Sequence, residues 1–226
     1  MDDEAELRRL LSWILTDFGN DVEMAADGEE ALRRMPHPPY PDLVILDILM
    51  PRVDGWAVLE SLGHMPVRPP VLVLTGIVDY PTFLRAIRAG AAAFMVKPFR
   101  FQDLVGISQR LLATADEAHG EERRGRTRRL LIMDVDLLSA EAAPLARGDI
   151  VNLSATGARL DLGVPLPEGE RVRLAVNVPG QPRPFRFDGV VQWQKPGGAG
   201  GPGFAHGVSF QAIGEAEKKF LADIVR

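Results

Sequence analysis

Apolar positions along the chain follow two different rhythms, and the change between them falls near residue 115. In the first half, Leu7, Leu10, Leu11, Ile14, Leu15 and Phe18 recur at helical spacing and predict an amphipathic first helix. Residues 22–25 read as a strand and 28–35 as a short helix. Leu43, Val44, Ile45 and Leu46 form a continuous apolar run, the pattern of a parallel strand buried on both faces. A helix over 55–62, a second buried strand over 71–74, a helix over 82–89 and a short strand over 93–96 follow. Leu104, Ile107, Leu111 and Leu112 then mark a closing helix. Such alternation of β and α elements predicts a doubly wound α/β sheet with its chemistry at the carboxyl ends of the strands.

Residues 115–129 are polar, charged and short of large apolar side chains, so they read as a linker. Beyond them the period shortens to two. Alternating segments over 130–137, 148–153, 158–162, 171–178, 185–193 and 204–210 are separated by Gly and Pro, including a run over 196–203 that predicts a hairpin tip. Short strands at this spacing predict a small all-β barrel or sandwich, and Phe220, Leu221 and Ile224 predict a final helix over one end.

Composition narrows the function classes. The 226 residues are 46% hydrophobic and 25% charged, an ordinary globular balance for one or two domains. No apolar run approaches the roughly 20 residues that span a bilayer, and Met1-Asp2-Asp3-Glu4 lacks the positive start of a signal peptide. With no cysteine there is no disulfide framework, thiolate metal site or thiol nucleophile, and the cytoplasm is the expected compartment. A net charge of -5 argues against general nucleic-acid binding, and no DNA-binding motif is legible. Basic charge is nonetheless concentrated in Arg123, Arg124, Arg126, Arg128 and Arg129.

The residues that end the predicted strands carry the candidate chemistry. The run over 43–46 ends in Asp47, with Met50-Pro51 and Asp54-Gly55 behind it; the run over 71–74 ends in Thr75, and that over 93–96 in Lys97-Pro98. Asp2 and Asp3 directly precede the first helix. An aspartyl-nucleophile phosphatase of the haloacid-dehalogenase type needs a second Asp two positions on, where this chain has Leu49. The set of Asp2, Asp3, Asp47, Thr75, Phe94 and Lys97 resembles the response-regulator receiver family, over residues 1–118. That resemblance implies a flavodoxin-like fold, Asp47 as phosphoacceptor from a sensor histidine kinase, and Mg²⁺ held by Asp2, Asp3 and Asp47. It further implies that Lys97 and Thr75 contact the phosphoryl group, that Phe94 switches rotamer, and that the Lys97-Pro98 bond is cis. Only self-phosphorylation and dephosphorylation are expected as enzymatic activity. Receivers also open on an apolar strand ahead of the acidic pair, where this chain has Met1 alone. The first strand is thus expected to be missing. A natural chain longer at its N-terminus and a receiver shortened by a strand both remain open.

The second half pairs Arg124 and Arg128, four residues apart, with Asn152-Leu153-Ser154-Ala155-Thr156-Gly157. Gly157 suits a turn with positive φ, and Asn and Ser bond turn backbone or a ligand. This arrangement resembles the PilZ domain family, over residues 121–226 with an arginine arm at 119–129. The resemblance implies a six-stranded barrel with a C-terminal helix that binds cyclic di-GMP. Arg124 and Arg128 would contact phosphates and guanines, with Asn152, Ser154 and Gly157 beneath a base and Arg123 and Trp193 adding contacts. A guanidinium is planar and forked, which suits both tasks. Asn152 offers one acceptor oxygen where an aspartate offers two.

The expected protein is a response regulator that couples Asp47 phosphorylation and nucleotide binding to an unidentified partner protein. Ordering of Arg123 to Arg129 by the ligand would reset the angle between domains. Its rivals are a degenerate receiver–PilZ interaction module, a one-input sensor with a silent receiver, and an RNA-binding regulator. A homodimer is compatible with the receiver family.

Overall fold

The structure is a computed structural model that describes residues 1–35, 37–122, 130–197 and 203–225, with backbone alone over 114–122. The first half comprises α1 (Ala5–Asp17), α2 (Gly28–Arg34), β1 (Val44–Asp47), α3 (Gly55–Leu62), β2 (Val71–Thr75), α4 (Tyr80–Ala89), β3 (Ala93–Val96) and α5 (Phe101–Glu122). The strands form a parallel sheet in the order β1-β2-β3. All of β2 is buried, as its unbroken apolar run requires. Three helices start on an aspartate whose side chain accepts an amide N–H: Asp27 from Glu30, Asp54 from Ala57 and Asp79 from Thr82.

Residues 22–25 do not form the expected strand. The position between them and β1 is held by Met1 and Asp2 alone. Met1 donates its α-amino group to the Ile45 carbonyl at 2.8 Å and accepts the Asp47 N–H at 2.9 Å, while Asp2 N–H reaches the Ala25 carbonyl at 3.4 Å. An extended segment becomes a strand only where neighbouring backbone supplies its partners, and these contacts do not extend far enough along 22–25.

A second departure concerns the linker. Helix α5 runs through Glu122, well past residue 115. The stretch is rich in Ala and Glu, which favour helix without any apolar face to reveal it. A third concerns residues 130–132, read above as the start of a barrel strand. Ile132 donates its N–H to Ala92 at 2.7 Å and forms a parallel bridge with Ala93, so it extends the edge of the first sheet. Leu130 and Ile132 pack with Leu72, Leu74, Ala93, Leu104 and Leu111.

The barrel follows: β4 (Met133–Ser139), β5 (Pro144–Ser154), β6 (Gly157–Leu162), β7 (Arg171–Val176), β8 (Phe185–Pro196) and β9 (Phe204–Phe210), then α6 (Glu215–Ile224). It closes in the order β4-β5-β6-β9-β8-β7 with antiparallel neighbours throughout. Closure removes the exposed edges that a six-stranded open sheet would leave. Val135, Leu137, Ile150, Leu160, Leu174, Phe187 and Val191 fill the interior, and Phe220, Leu221 and Ile224 of α6 are buried with them. Most of the predicted hairpin tip, residues 198–202, lies outside the described residues.

The two halves meet along α4, α5 and β3. Arg88 at the end of α4 pairs with Asp223 of α6, and Arg110 of α5 lies 3.0 Å from Asp149 of β5. Gly180, between β7 and β8, sits so close to the start of α4 that a Cβ there would lie 2.3 Å from the Tyr80 nitrogen. Its φ of 74° independently favours glycine.

Candidate functional site

At the carboxyl end of the parallel sheet, β1 delivers Asp47, β2 delivers Thr75 and the turn after β3 delivers Lys97. Asp2 arrives beside them because Met1 is bound to β1. Lys97 Nζ donates to Asp2 Oδ2 at 2.6 Å and to Asp47 Oδ2 at 2.5 Å. The other Asp47 oxygen accepts the Leu49 N–H at 2.9 Å. Asp2, Asp47 and Thr75 are buried. Thr75 accepts the Ile77 N–H at 3.2 Å, and the Lys97-Pro98 bond is cis. Gly55 is required by a close approach, since a Cβ there would lie 2.2 Å from the Asp47 carbonyl oxygen.

Burial pushes the Asp47 carboxyl above its ordinary range, opposed by its bonds to Lys97 and the Leu49 N–H. For Lys97, burial works against the ammonium, but the bonds to Asp2 and Asp47 outweigh it and hold the group above its usual value. Asp2, Asp3 and Asp47 each bring a carboxylate oxygen within 4.8 Å of the others. Such a hard oxygen set fits Mg²⁺, and an ammonium already lies between two of its members. Phe94, half-buried on β3, stands next to Val73 in the register, with its ring 5.6 Å from that of Phe83 on α4.

The barrel motif occupies the outer face of β5-β6-β9-β8. Asn152, Arg159, Gly207 and Trp193 form one row across these strands, and Ser154, Gly157, Ser209 and Val190 form the next. Register shifts after Ile150 and after Val191 flank the Asn152–Trp193 row on both sides. Ser154 Oγ accepts the Gly157 N–H at 3.1 Å and donates to the Gly157 carbonyl at 2.9 Å, so this hydroxyl shapes the turn. Gly157 lies outside the left-handed region that the sequence suggested. Its requirement is space instead, because a Cβ would meet the Val208 carbonyl oxygen at 2.3 Å. Trp193 rests its indole on Gly207, where a Cβ would lie 2.0 Å from Nε1. Gln192 Nε2 donates to Ser209 Oγ at 2.8 Å. Arg123, Arg124 and Arg128 lie outside the described residues.

Residues 1–109 match the response regulator receiver domain family, and residues 122–226 match the PilZ domain family. The chain is a receiver–PilZ fusion. Its receiver half is 37% identical over 118 residues to the ycf27 protein of Porphyridium aerugineum, covering 52% of this chain and 48% of that one. It is similar also to the regulatory protein AtoC of Escherichia coli, at 35% over 112 residues, 50% of this chain and 24% of that one. The transcriptional regulatory protein TrcR of Mycobacterium tuberculosis is 33% identical over 156 residues, 69% of this chain and 59% of that one. NtrX from Brucella abortus, as a crystal structure, superposes with a TM-score of 0.50 at 33% identity over 56% of this chain and 30% of that one. The chain thus spans about half the length of the ycf27 relatives it matches.

Sequence reasoning missed Arg159 on the PilZ face. Arg159 was within reach, since it stands two residues after Gly157 and strand alternation returns it to the same face. The place of Gly207 against Trp193 became legible only once β9 was placed between β6 and β8.

Among the described residues of the receiver–PilZ chain, no helix is long and apolar enough to cross a membrane.

Proposed function

We propose that this receiver–PilZ chain is a response regulator with two inputs, phosphorylation at Asp47 and cyclic di-GMP at the barrel, which passes their combined state to a partner protein. The observation that carries the reading is the Lys97 ammonium, 2.6 Å from Asp2 and 2.5 Å from Asp47 at the end of the parallel sheet.

An Asp47 carboxylate oxygen bonds to phosphorus as the bond between phosphorus and the donor histidine of a sensor kinase breaks. Asp2, Asp3 and Asp47 would hold Mg²⁺, which would supply positive charge to offset that of the phosphoryl group. Lys97 opposes the effect of burial on the Asp47 carboxyl before transfer and pairs with a phosphoryl oxygen afterwards. Thr75 donates its hydroxyl to a second phosphoryl oxygen, and Phe94 follows as the β2 and β3 ends shift. On the barrel, Arg123, Arg124 and Arg128 close over a nucleotide seated on the Asn152–Trp193 row, with guanidinium groups on phosphate and base planes. Ser154 and Gly157 support that row through the turn they hold.

Titration of cyclic di-GMP into the whole chain tests the barrel, with Arg124→Ala/Arg128→Ala as control. Micromolar binding, about 8 kcal/mol, that is lost in the double variant supports the reading; equal binding by both proteins removes the arm's role. Intact mass after incubation with acetyl phosphate and Mg²⁺ tests the receiver. One phosphoryl group is expected on the wild type and none on Asp47→Asn.

A further inference from the structure

Six of the chain's ten phenylalanines, together with Tyr80, form one continuous line of rings that crosses from the receiver into the barrel. It begins at Phe94, on the strand that leads to Lys97. Phe94 meets Phe83 edge-on at 5.6 Å, and Phe83 lies 6.3 Å from Tyr80 one turn earlier on α4. Tyr80 meets Phe185 of β8 at 6.1 Å, which is the step between domains. Phe185 stacks on Phe220 of α6 at 4.2 Å; Phe220 lies 6.2 Å from Phe187, and Phe187 stacks on Phe210 of β9 at 4.8 Å. The Phe210 N–H then donates to the Thr156 carbonyl at 2.8 Å, inside the turn between Ser154 and Gly157.

We propose that this line couples the two sites, with the Tyr80–Phe185 contact as the junction through which the aspartate site and the nucleotide face bias one another. The proposal rests on the two-input reading above and adds the route. Phe83, Phe187 and Phe220 are each almost wholly buried, at 2%, 1% and 1% exposure. A close-packed interior transmits displacement, because no ring can turn without moving its neighbour. Phe94, Tyr80 and Phe185 are only partly buried, so the line is rigid within each domain and has freedom at its start and at its crossing. The crossing is held in place on either side: Gly180 packs on the backbone of Asp79 and Tyr80, and Arg88 pairs with Asp223. The far end is as tightly fixed. Gly157 abuts the Val208 carbonyl and Phe210 bonds Thr156, so a shift of β9 at Phe210 alters the turn that supports Asn152.

The test uses amide resonances of the whole 226-residue chain, without nucleotide. Beryllofluoride with Mg²⁺, a phosphoryl mimic, is expected to shift amides near Lys97 and also those of Phe210 and Gly157. Tyr80→Ala should keep the shifts near Lys97 and lose those at Phe210 and Gly157, whereas Tyr80→Phe, which retains the ring, should restore both. A purely structural role for Tyr80 would not produce that split. Cyclic di-GMP titration adds the second readout. The mimic should change affinity several-fold in the wild type and Tyr80→Phe, and less than twofold in Tyr80→Ala. Wild-type shifts near Lys97 with none at Phe210 overturn the route and leave the receiver reading standing, as does a Tyr80→Ala protein that retains the full response. No shift anywhere in the wild type overturns the Asp47 reading itself, and the coupling with it.

Discussion

Arg110 on the last receiver helix and Asp149 on the barrel form an ion pair of 3.0 Å across the domain boundary, and both side chains are largely withdrawn from water. Asp149 stands in register with Asp134 on one side and Asp161 on the other, so the barrel gathers three carboxylates where the helix presents one guanidinium. The pair therefore places a buried carboxylate and its counter-charge on opposite sides of the domain boundary.

Burial pushes Asp149 up to about 6, with Arg110 and Arg147 opposing and Asp134 and Asp161 reinforcing the rise. Its ordinary value is 3.8. Between these values the folded protein binds more protons at this site than the unfolded chain, so the site's contribution to stability is fully present below about 4 and is lost as pH rises through 6. Asp149→Asn is expected to flatten the pH dependence across that window. Urea midpoints at pH 4.5 and 7 check it, and an unchanged slope would assign the dependence elsewhere.

Arg110→Ala leaves the Asp149 carboxyl buried without this counter-charge. The expected loss at pH 7 is about 2–3 kcal/mol, below the roughly 3–5 kcal/mol of fully buried pairs because Arg110 retains some solvent contact. The loss should shrink at pH 5, where Asp149 takes up a proton. Thermal melts at the two pH values measure it.

Removal of the Lys97 ammonium leaves Asp2 and Asp47 facing one another without it. Lys97→Met is expected to cut phosphoryl uptake from acetyl phosphate at least tenfold and to abolish the response of the barrel. Mg²⁺ should still bind, since all three carboxylates remain. Quenching of intrinsic fluorescence by Mn²⁺ separates retained metal binding from lost transfer.

Gly207→Ala drives a methyl group into the Trp193 indole and displaces it from the row that carries Asn152 and Arg159. Cyclic di-GMP affinity is expected to fall about tenfold, or about 1.4 kcal/mol, within the range for loss of one aromatic stacking platform. The barrel should stay folded because the methyl meets a side chain rather than backbone. Trp193 emission and the titration together report the displacement; unchanged affinity would remove Trp193 from the site.

Gly180→Ala strikes the backbone of Asp79 and Tyr80 and forces a non-glycine residue into positive φ. Separation of the domains is expected, seen as a larger radius of gyration by X-ray scattering, with receiver phosphorylation retained. An unchanged radius would show that the other contacts suffice.

The strands, the helices and both motifs were legible from the order of residues because each depends on local periodicity or on a short spacing. Asp47, Thr75 and Lys97 could be read as one site because parallel strands all end on the same side of their sheet. The extended segment at 22–25 misled, since a strand needs a neighbour and the pattern of one segment does not reveal whether its neighbour is present. Residues 130–132 misled for the same reason, being apolar and extended whichever sheet they join. At Gly157 the sequence suggested a positive-φ turn, whereas the structure requires glycine there for the strand that presses on it.

By itself, then, the sequence determined a response-regulator receiver followed by a PilZ barrel, because those assignments rest on residue types that recur at fixed separations. Only the tertiary structure decided that Tyr80 meets Phe185, that Arg110 faces Asp149 and that Gly207 carries Trp193. Contacts between residues far apart in the chain depend on how two finished domains pack, and packing is settled by shape and burial that no local pattern records.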